Sequence, residues 1–222
     1  MPKCRVVVLI GGSGSNLQAL IDSQECINAV SMVSVVSHRP DAYGLTRAKN
    51  ANIPTVVISH LDYSERDAFE ADLQQAIDNF NPDLVLLAGF MRVLSEKFVS
   101  HYAGKLLNIH PSLLPKYKGL HTHQRVLAAG DSEHGASVHF VTSELDGGPI
   151  VAQIRVPVLP KDTEETLSAR VLKAEHHLFP QVVAWFAQNR LKYDQNIVTL
   201  DGKRLTPQGL QLSLPTMQGI VS

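Results

Sequence analysis

The stretch Val6-Val7-Val8-Leu9-Ile10-Gly11-Gly12-Ser13-Gly14-Ser15-Asn16 decides the fold of this chain. Its first five residues are aliphatic, mostly β-branched, and uninterrupted by any polar residue. A strand of that kind is buried on both faces, as in a parallel sheet. The glycine-rich turn ends the strand, and Leu17 to Ile21 reads as the first apolar turn of a helix. A strand, a glycine turn and a helix start make a device for holding phosphate, because free backbone N–H groups and the positive helix end converge on an anion. Gly12, Gly14, Ser15 and Asn16 would form it, with the Ser and Asn side chains as further donors or caps. The same residues would equally make an ordinary strand-to-helix turn with an N-cap.

Outward from this unit the pattern repeats. Strands are predicted over Val30–Val36, Thr55–Ile58 and Leu84–Ala88, and helices over Ala42–Ala51 and Ser64–Phe80, the latter with Phe69, Leu73 and Ile77 on one stripe. Such alternation predicts an α/β fold: a doubly wound, mostly parallel sheet with right-handed crossovers. Another strand starts near Lys105 and ends in Asn108-Ile109-His110. A long loop-rich stretch follows, punctuated by Pro111, Pro115, Gly119 and Gly130. Strands are then expected over Ala136–Val141 and Ile150–Val158, separated by Asp146-Gly147-Gly148-Pro149. Asp162-Thr163-Glu164-Glu165 is a capping-box start for a last helix reaching about Trp185, which Pro180 is expected to kink or break. Ile197 to Leu205 reads as a hairpin turning at Asp201-Gly202. There is no repeat or linker, so residues 1–222 are expected to form one domain, with a phosphate-binding half over about 5–105 and a catalytic half over about 106–200.

Composition bounds the function. Of 222 residues, 44% are hydrophobic and 18% charged, the proportions of a globular chain. Lys plus Arg is 20 and Asp plus Glu is 21, for a net charge of -1. That balance argues against nucleic acid as a partner, though not against a small anion held locally. Two cysteines, Cys4 and Cys26, make no disulfide framework and have no metal-type spacing; Cys4 is expected to fill the core. No apolar run approaches the roughly 18 residues of a membrane span or the pattern of a signal peptide, so the chain is expected to be soluble and cytoplasmic, with no membrane partner.

The glycine turn lacks the third glycine of a dinucleotide fingerprint, since Leu17 occupies its place. Ser37-His38-Arg39 stands where an acidic residue would follow the second strand, and there is no Gly-Lys-Ser/Thr. The phosphate expected is therefore the terminal group of a small metabolite. Asn108 and His110, at i and i+2 of one strand, share a face, and at the carboxyl end of an open α/β sheet that face meets the ligand crevice. Asn can donate to a developing oxyanion and His can carry a proton near neutral pH. Asp146 could hold the imidazole charged, although an Asp before Gly-Gly is also an ordinary turn former. A metal site on His121 and His123 with a carboxylate is an alternative that these spacings leave open.

Leu107-Asn108-Ile109-His110-Pro111-Ser112-Leu113-Leu114-Pro115 resembles the folate-dependent formyltransferases. Gly14-Ser15-Asn16-Leu17, Leu87-Ala88-Gly89-Phe90-Met91-Arg92, Ser137-Val138-His139-Phe140-Val141 and Glu144-Leu145-Asp146-Gly147-Gly148-Pro149 follow the family pattern in order, over almost the whole length. Lys118-Gly119-Leu120-His121-Thr122-His123 resembles the branch that formylates glycinamide ribonucleotide. With a first strand from about residue 5 and 222 residues in all, the chain is expected to lack both the C-terminal domain of transfer-RNA formyltransferases and the N-terminal regulatory domain of formyl-folate hydrolases.

The resemblance implies 10-formyltetrahydrofolate as co-substrate, glycinamide ribonucleotide as acceptor, no metal, and a monomer or homodimer. It implies Asn108, His110 and Asp146 as the catalytic trio. Gly14, Ser15, Asn16 and Glu175 would bind the ribonucleotide. Met91, Arg92, Val93 and Leu94, with Arg66 near the outer end and Asn108 at the reacting end, would bind the folate. Two positions depart from the pattern: Gly11 stands where the family often has Ser, and Leu172 where relatives carry a polar side chain near the substrate. Neighbouring Lys173 is a poor replacement, since one helix step turns its side chain by ~100°.

Overall fold

Alternate residues of the first strand enter two different cores. Val6, Val8 and Ile10 pack in one cluster, Val7 and Leu9 in the other, so the strand is covered on both faces. The structure is a computed structural model that describes residues 2–214. In chain order its elements begin β1 (Cys4–Ile10), α1 (Ser15–Asp22), α2 (Gln24–Ala29), β2 (Val30–Ser37), α3 (Gly44–Asn50), β3 (Thr55–Val57), α4 (Arg66–Asp78) and β4 (Leu84–Leu87). They continue with α5 (Glu96–His101), β5 (Leu106–His110), α6 (Thr122–Ala129), β6 (Glu133–Phe140), β7 (Ile150–Pro157) and α7 (Glu164–Ala187). The last strands are β8 (Leu191–Asp194), β9 (Ile197–Leu200), β10 (Lys203–Arg204) and β11 (Leu210–Leu212).

Among the described residues eight strands form one sheet in the order β11-β7-β6-β5-β4-β1-β2-β3. Every pairing is parallel except those of β6, which runs against both β5 and β7. The core containing Val6, Val8 and Ile10 takes in the apolar faces of α1, α3 and α7. The opposite core holds Phe69, Leu73 and Ile77 of α4 and Phe98 of α5. The sheet is thus mostly parallel and doubly wound, as the alternation predicts. Connections leave β1 towards β2 and β3, and leave β4 towards β5, so the topology switches between β1 and β4. The loops after β1 and β4 open there, at the place where such sheets bind ligands.

Pro180 does not break its helix. α7 continues from Glu164 to Ala187 with Pro180 inside it and buried. A proline removes one N–H from the ladder, whereas burial of Leu178, Phe179, Val182 and Val183 around it fastens both halves to the sheet. The helix starts as expected: Thr163 Oγ1 accepts from Thr166 N at 3.3 Å, and Thr163 N donates to Thr166 Oγ1 at 2.9 Å. The stretch after Pro111 is less loop-like than its prolines and glycines suggest, because α6 stands inside it and β6 begins already at Glu133. The tail hairpin turns at Asp201 and Gly202, both left-handed, and pairs with β8 in a separate three-stranded sheet. Cys4 packs on the core and neither cysteine is paired. Among the described residues no helix is long and apolar enough to cross a membrane.

Candidate active site

The glycine turn lies at the end of β1, above α3. Gly14 caps α1 in the left-handed region (φ 70), with no side-chain cap hydrogen bond. A Cβ on Gly14 would meet Gly44 Cα at 2.5 Å, so the loop rests directly on α3, and Gly44 N donates to Gly12 O at 3.1 Å. The first N–H groups of α1 therefore keep the freedom of a helix start and can turn to an anion. Asn16 is no cap. Its Nδ2 donates to Glu175 Oε2 at 2.6 Å, tying the loop to α7. Asn16 Oδ1 is buried with no partner in the protein. Burial pushes the Glu175 carboxyl up to about 7, against the lowering effect of the Asn16 hydrogen bond. On the same helix Leu172 is half-buried and Lys173 exposed, so Lys173 lies on a different face from Glu175.

The loop after β4 carries the expected folate segment. Met91, Arg92 and Val93 are exposed and Leu94 is buried. Arg66, the first residue of α4, reaches this segment: its Nη2 donates to Val93 O at 2.8 Å and its Nε to Glu70 Oε1 at 2.8 Å. Glu70 in turn accepts from Ser95 N at 2.9 Å and from Ser95 Oγ, while the Arg92 guanidinium lies over Phe69. Arg66 and Met91–Leu94, 25 or more positions apart, are thus one wall, braced by the buried Glu70.

The catalytic trio expected from the sequence converges. Leu107 and Ile109 of β5 enter one core, which turns Asn108 and His110 to the other side together. His110 Nδ1 stands 3.5 Å from Asp146 Oδ2, at ion-pair distance. His110 Nε2 lies 3.0 Å from the Tyr117 carbonyl. Each ring nitrogen of His110 thus faces an oxygen, the Tyr117 carbonyl on one side and the Asp146 carboxylate on the other. Asp146 adopts the left-handed region (φ 46), and its Oδ2 accepts from Gly119 N at 2.8 Å. Gly148 follows because a Cβ there would overlap the Phe140 carbonyl. The buried Ser137 and Gln153 side chains bond to Ser112 O, Leu114 N and Leu114 O, fixing the chain that leads to Tyr117.

One member of the cluster is absent from the sequence expectation. His139 faces Asn108 across the antiparallel β5–β6 register. Its Nδ1 lies 2.9 Å from the Phe140 carbonyl and must donate to it, so Nε2 of the neutral ring accepts from Asn108 Nδ2 at 3.1 Å. Burial holds this imidazole well below its ordinary pKa. His139 Nε2 is also 3.7 Å from Asp146 Oδ1. His139 therefore fixes the Asn108 amide and leaves its second N–H free. Only the strand register reveals this, and nothing local to residue 139 signals it. His121 and His123 do not form a strand-spaced pair. His121 takes a left-handed cap position at the start of α6, and His123 Nδ1 lies 3.0 Å from His134 Nε2. Among the described residues no group of three or more His, Cys, Asp or Glu could hold a metal ion.

Comparison with known proteins agrees with this architecture. The family model described as Formyl transferase matches residues 4–183. The chain is 54% identical over 205 residues to phosphoribosylglycinamide formyltransferase of Escherichia coli (strain K12), covering 92% of this chain and 97% of that one. It is 44% identical over 206 residues to the enzyme of the same name from Haemophilus influenzae, again covering 92% and 97%. The solved structure of phosphoribosylglycinamide formyltransferase from Coxiella burnetii superposes with a TM-score of 0.91 at 52% identity, over 95% of this chain and 99% of that one. With a family match running from β1 into α7, this chain belongs to the formyl transferase family.

Proposed function

We propose that this enzyme transfers the formyl group of 10-formyltetrahydrofolate to the amine of glycinamide ribonucleotide, a step of de novo purine biosynthesis. The observation that carries the reading is the convergence of Asn108, His110 and Asp146 at the carboxyl end of β5, on the sheet edge that also bears the glycine loop. β1 and β5 are separated only by β4, so these sites are about 10 Å apart, two strand spacings. A ribose phosphate bearing a short amide chain has a comparable span. Gly14, Ser15 and Asn16 hold the phosphate and Glu175 contacts the ribonucleotide. Arg66 and Met91–Leu94 line the folate, so the phosphate half over about 5–105 also lends a wall to the catalytic and folate-binding half over about 106–200.

The neutral amine attacks the formyl carbon and gives a tetrahedral intermediate. The free N–H of Asn108 and the Nε2–H of His110 stabilise its oxyanion, the formyl oxygen replacing the Tyr117 carbonyl as the acceptor from His110. Asp146, 3.5 Å from Nδ1, orients the imidazole and offsets positive charge that develops on it in the transition state. A proton passes from the attacking nitrogen to the departing folate nitrogen through water, and the C–N bond to folate breaks. No covalent enzyme intermediate is required, and positioning supplies much of the acceleration.

The test follows folate absorbance with the purified protein and 10-formyltetrahydrofolate, with and without glycinamide ribonucleotide. Deformylation that depends on the ribonucleotide is the expected result. Equal deformylation without it would make the enzyme a formyl-folate hydrolase, and no reaction in either case would overturn the reading.

A further inference from the structure

The space that a side chain on Gly11 would need is filled by the ring of His38. A Cβ on Gly11 would overlap Cε1 of His38 and lie 2.9 Å from both ring nitrogens. The imidazole has nowhere to retreat. It is 3% exposed, its Nδ1 bonds to the Ile10 carbonyl at 3.2 Å, and its ring meets Phe90 edge-on with centroids 4.6 Å apart. The backbone carbonyl of His38 is held in turn by His60 Nδ1 at 3.0 Å. Burial, reinforced by His60, Arg92 and Arg39, pushes the His38 imidazole down to about 4, so the ring is neutral and donates through Nδ1.

The ring therefore touches both crevice loops: Ile10 and Gly11 where the glycine turn begins, and Phe90 immediately before the Met91–Leu94 segment. We infer that His38 is a positioning residue that sets the glycine loop against the β4 loop, and that Gly11 and His38 form one interdependent unit in which the imidazole fills the space a side chain at position 11 would need. His38 is too buried to meet either substrate, so it acts through the two loops. The inference rests on the reading of the glycine loop as the ribonucleotide-phosphate site.

The test is a double-mutant cycle in the full chain with Gly11→Ser, His38→Asn and both together, reading kcat and KM for each substrate and the melting temperature. His38→Asn deletes the two ring atoms Cε1 and Nε2 while keeping a donor near the position of Nδ1. Gly11→Ser alone should raise KM for glycinamide ribonucleotide by about tenfold or more, because overpacking displaces the loop. His38→Asn alone should raise KM for both substrates by roughly three- to tenfold, since the Phe90 contact is lost as well. In the His38→Asn background, adding Gly11→Ser should change the ribonucleotide KM by less than about threefold.

Equal cost of Gly11→Ser in both backgrounds, or a Gly11→Ser enzyme indistinguishable from wild type, overturns the inference. If Gly11→Ser alone fails to fold, recovery of folded protein in the double variant supports it and continued failure overturns it. The wild type is also assayed with the dephosphorylated acceptor. Equal use of that acceptor defeats the phosphate-loop reading by itself, and the cycle in melting temperature still decides whether Gly11 and His38 are coupled.

Discussion

The two ends of the crevice are built by different means. The glycine loop consists of consecutive residues and offers backbone N–H groups, whose positions follow from the turn and the helix start. The proposed catalytic cluster consists of side chains from β5, β6 and the loop holding Asp146, brought within 4 Å of one another by strand register and a left-handed backbone. A site made of backbone tolerates changes of side chain but not of backbone shape. A site made of side chains responds the other way.

Mutations can break this contrast. The largest effect is expected at His110→Ala and Asp146→Asn, each lowering kcat by about a thousandfold, as loss of a positioned acid–base or oxyanion partner does. Asp146→Asn keeps an oxygen for Gly119 N while removing the charge and replacing the second oxygen by an NH2 donor. Turnover within threefold of wild type in either variant would remove that residue from the mechanism. At the other end, Gly14→Ala should cost roughly 3 kcal/mol in denaturant unfolding, combining left-handed strain with the collision against Gly44. A loss below about 0.5 kcal/mol would show that the loop is not held by close backbone contact.

Glu175 is tied to the glycine loop through Asn16. Its folded value of about 7 lies above the ordinary 4.5. The folded protein thus holds a proton that the unfolded chain releases between those values, and stability falls as pH rises from 4.5 to 7. Glu175→Gln mimics the protonated carboxyl, so its melting temperature relative to wild type should be higher at pH 8 than at pH 5. The gap should be about 5–10 °C, corresponding to order 3 kcal/mol. A gap of opposite sign would mean that the carboxyl is stabilised as an anion.

Smaller effects sharpen the comparison. His139→Ala should lower kcat by about tenfold, the worth of one hydrogen bond orienting Asn108, while the KM values hold. A loss confined to KM would place His139 outside catalysis. Ser15→Ala leaves every backbone N–H in place and should raise the ribonucleotide KM by only a few-fold, less than about tenfold. A larger rise would show that the hydroxyl, not the backbone, carries the phosphate.

The sequence itself marked most of this. Unbroken aliphatic strands alternating with amphipathic helices specify a buried parallel sheet, because each run shows its own burial pattern locally. The glycine turn was legible for the same reason, since it is made of adjacent residues. Asn108 and His110 could be placed on one face by strand period, and the ordered motifs carried the family. Only the tertiary structure decided the rest. The position of α6 among prolines and glycines, and the survival of α7 through Pro180, depend on packing that outweighs local propensity. The pairing of Asn108 with His139, the bond of Asn16 to Glu175 and the ring of His38 against Gly11 join positions 27 to 159 residues apart. Such contacts are set by sheet order and register, which follow from how whole elements pack and not from any run of neighbours along the chain.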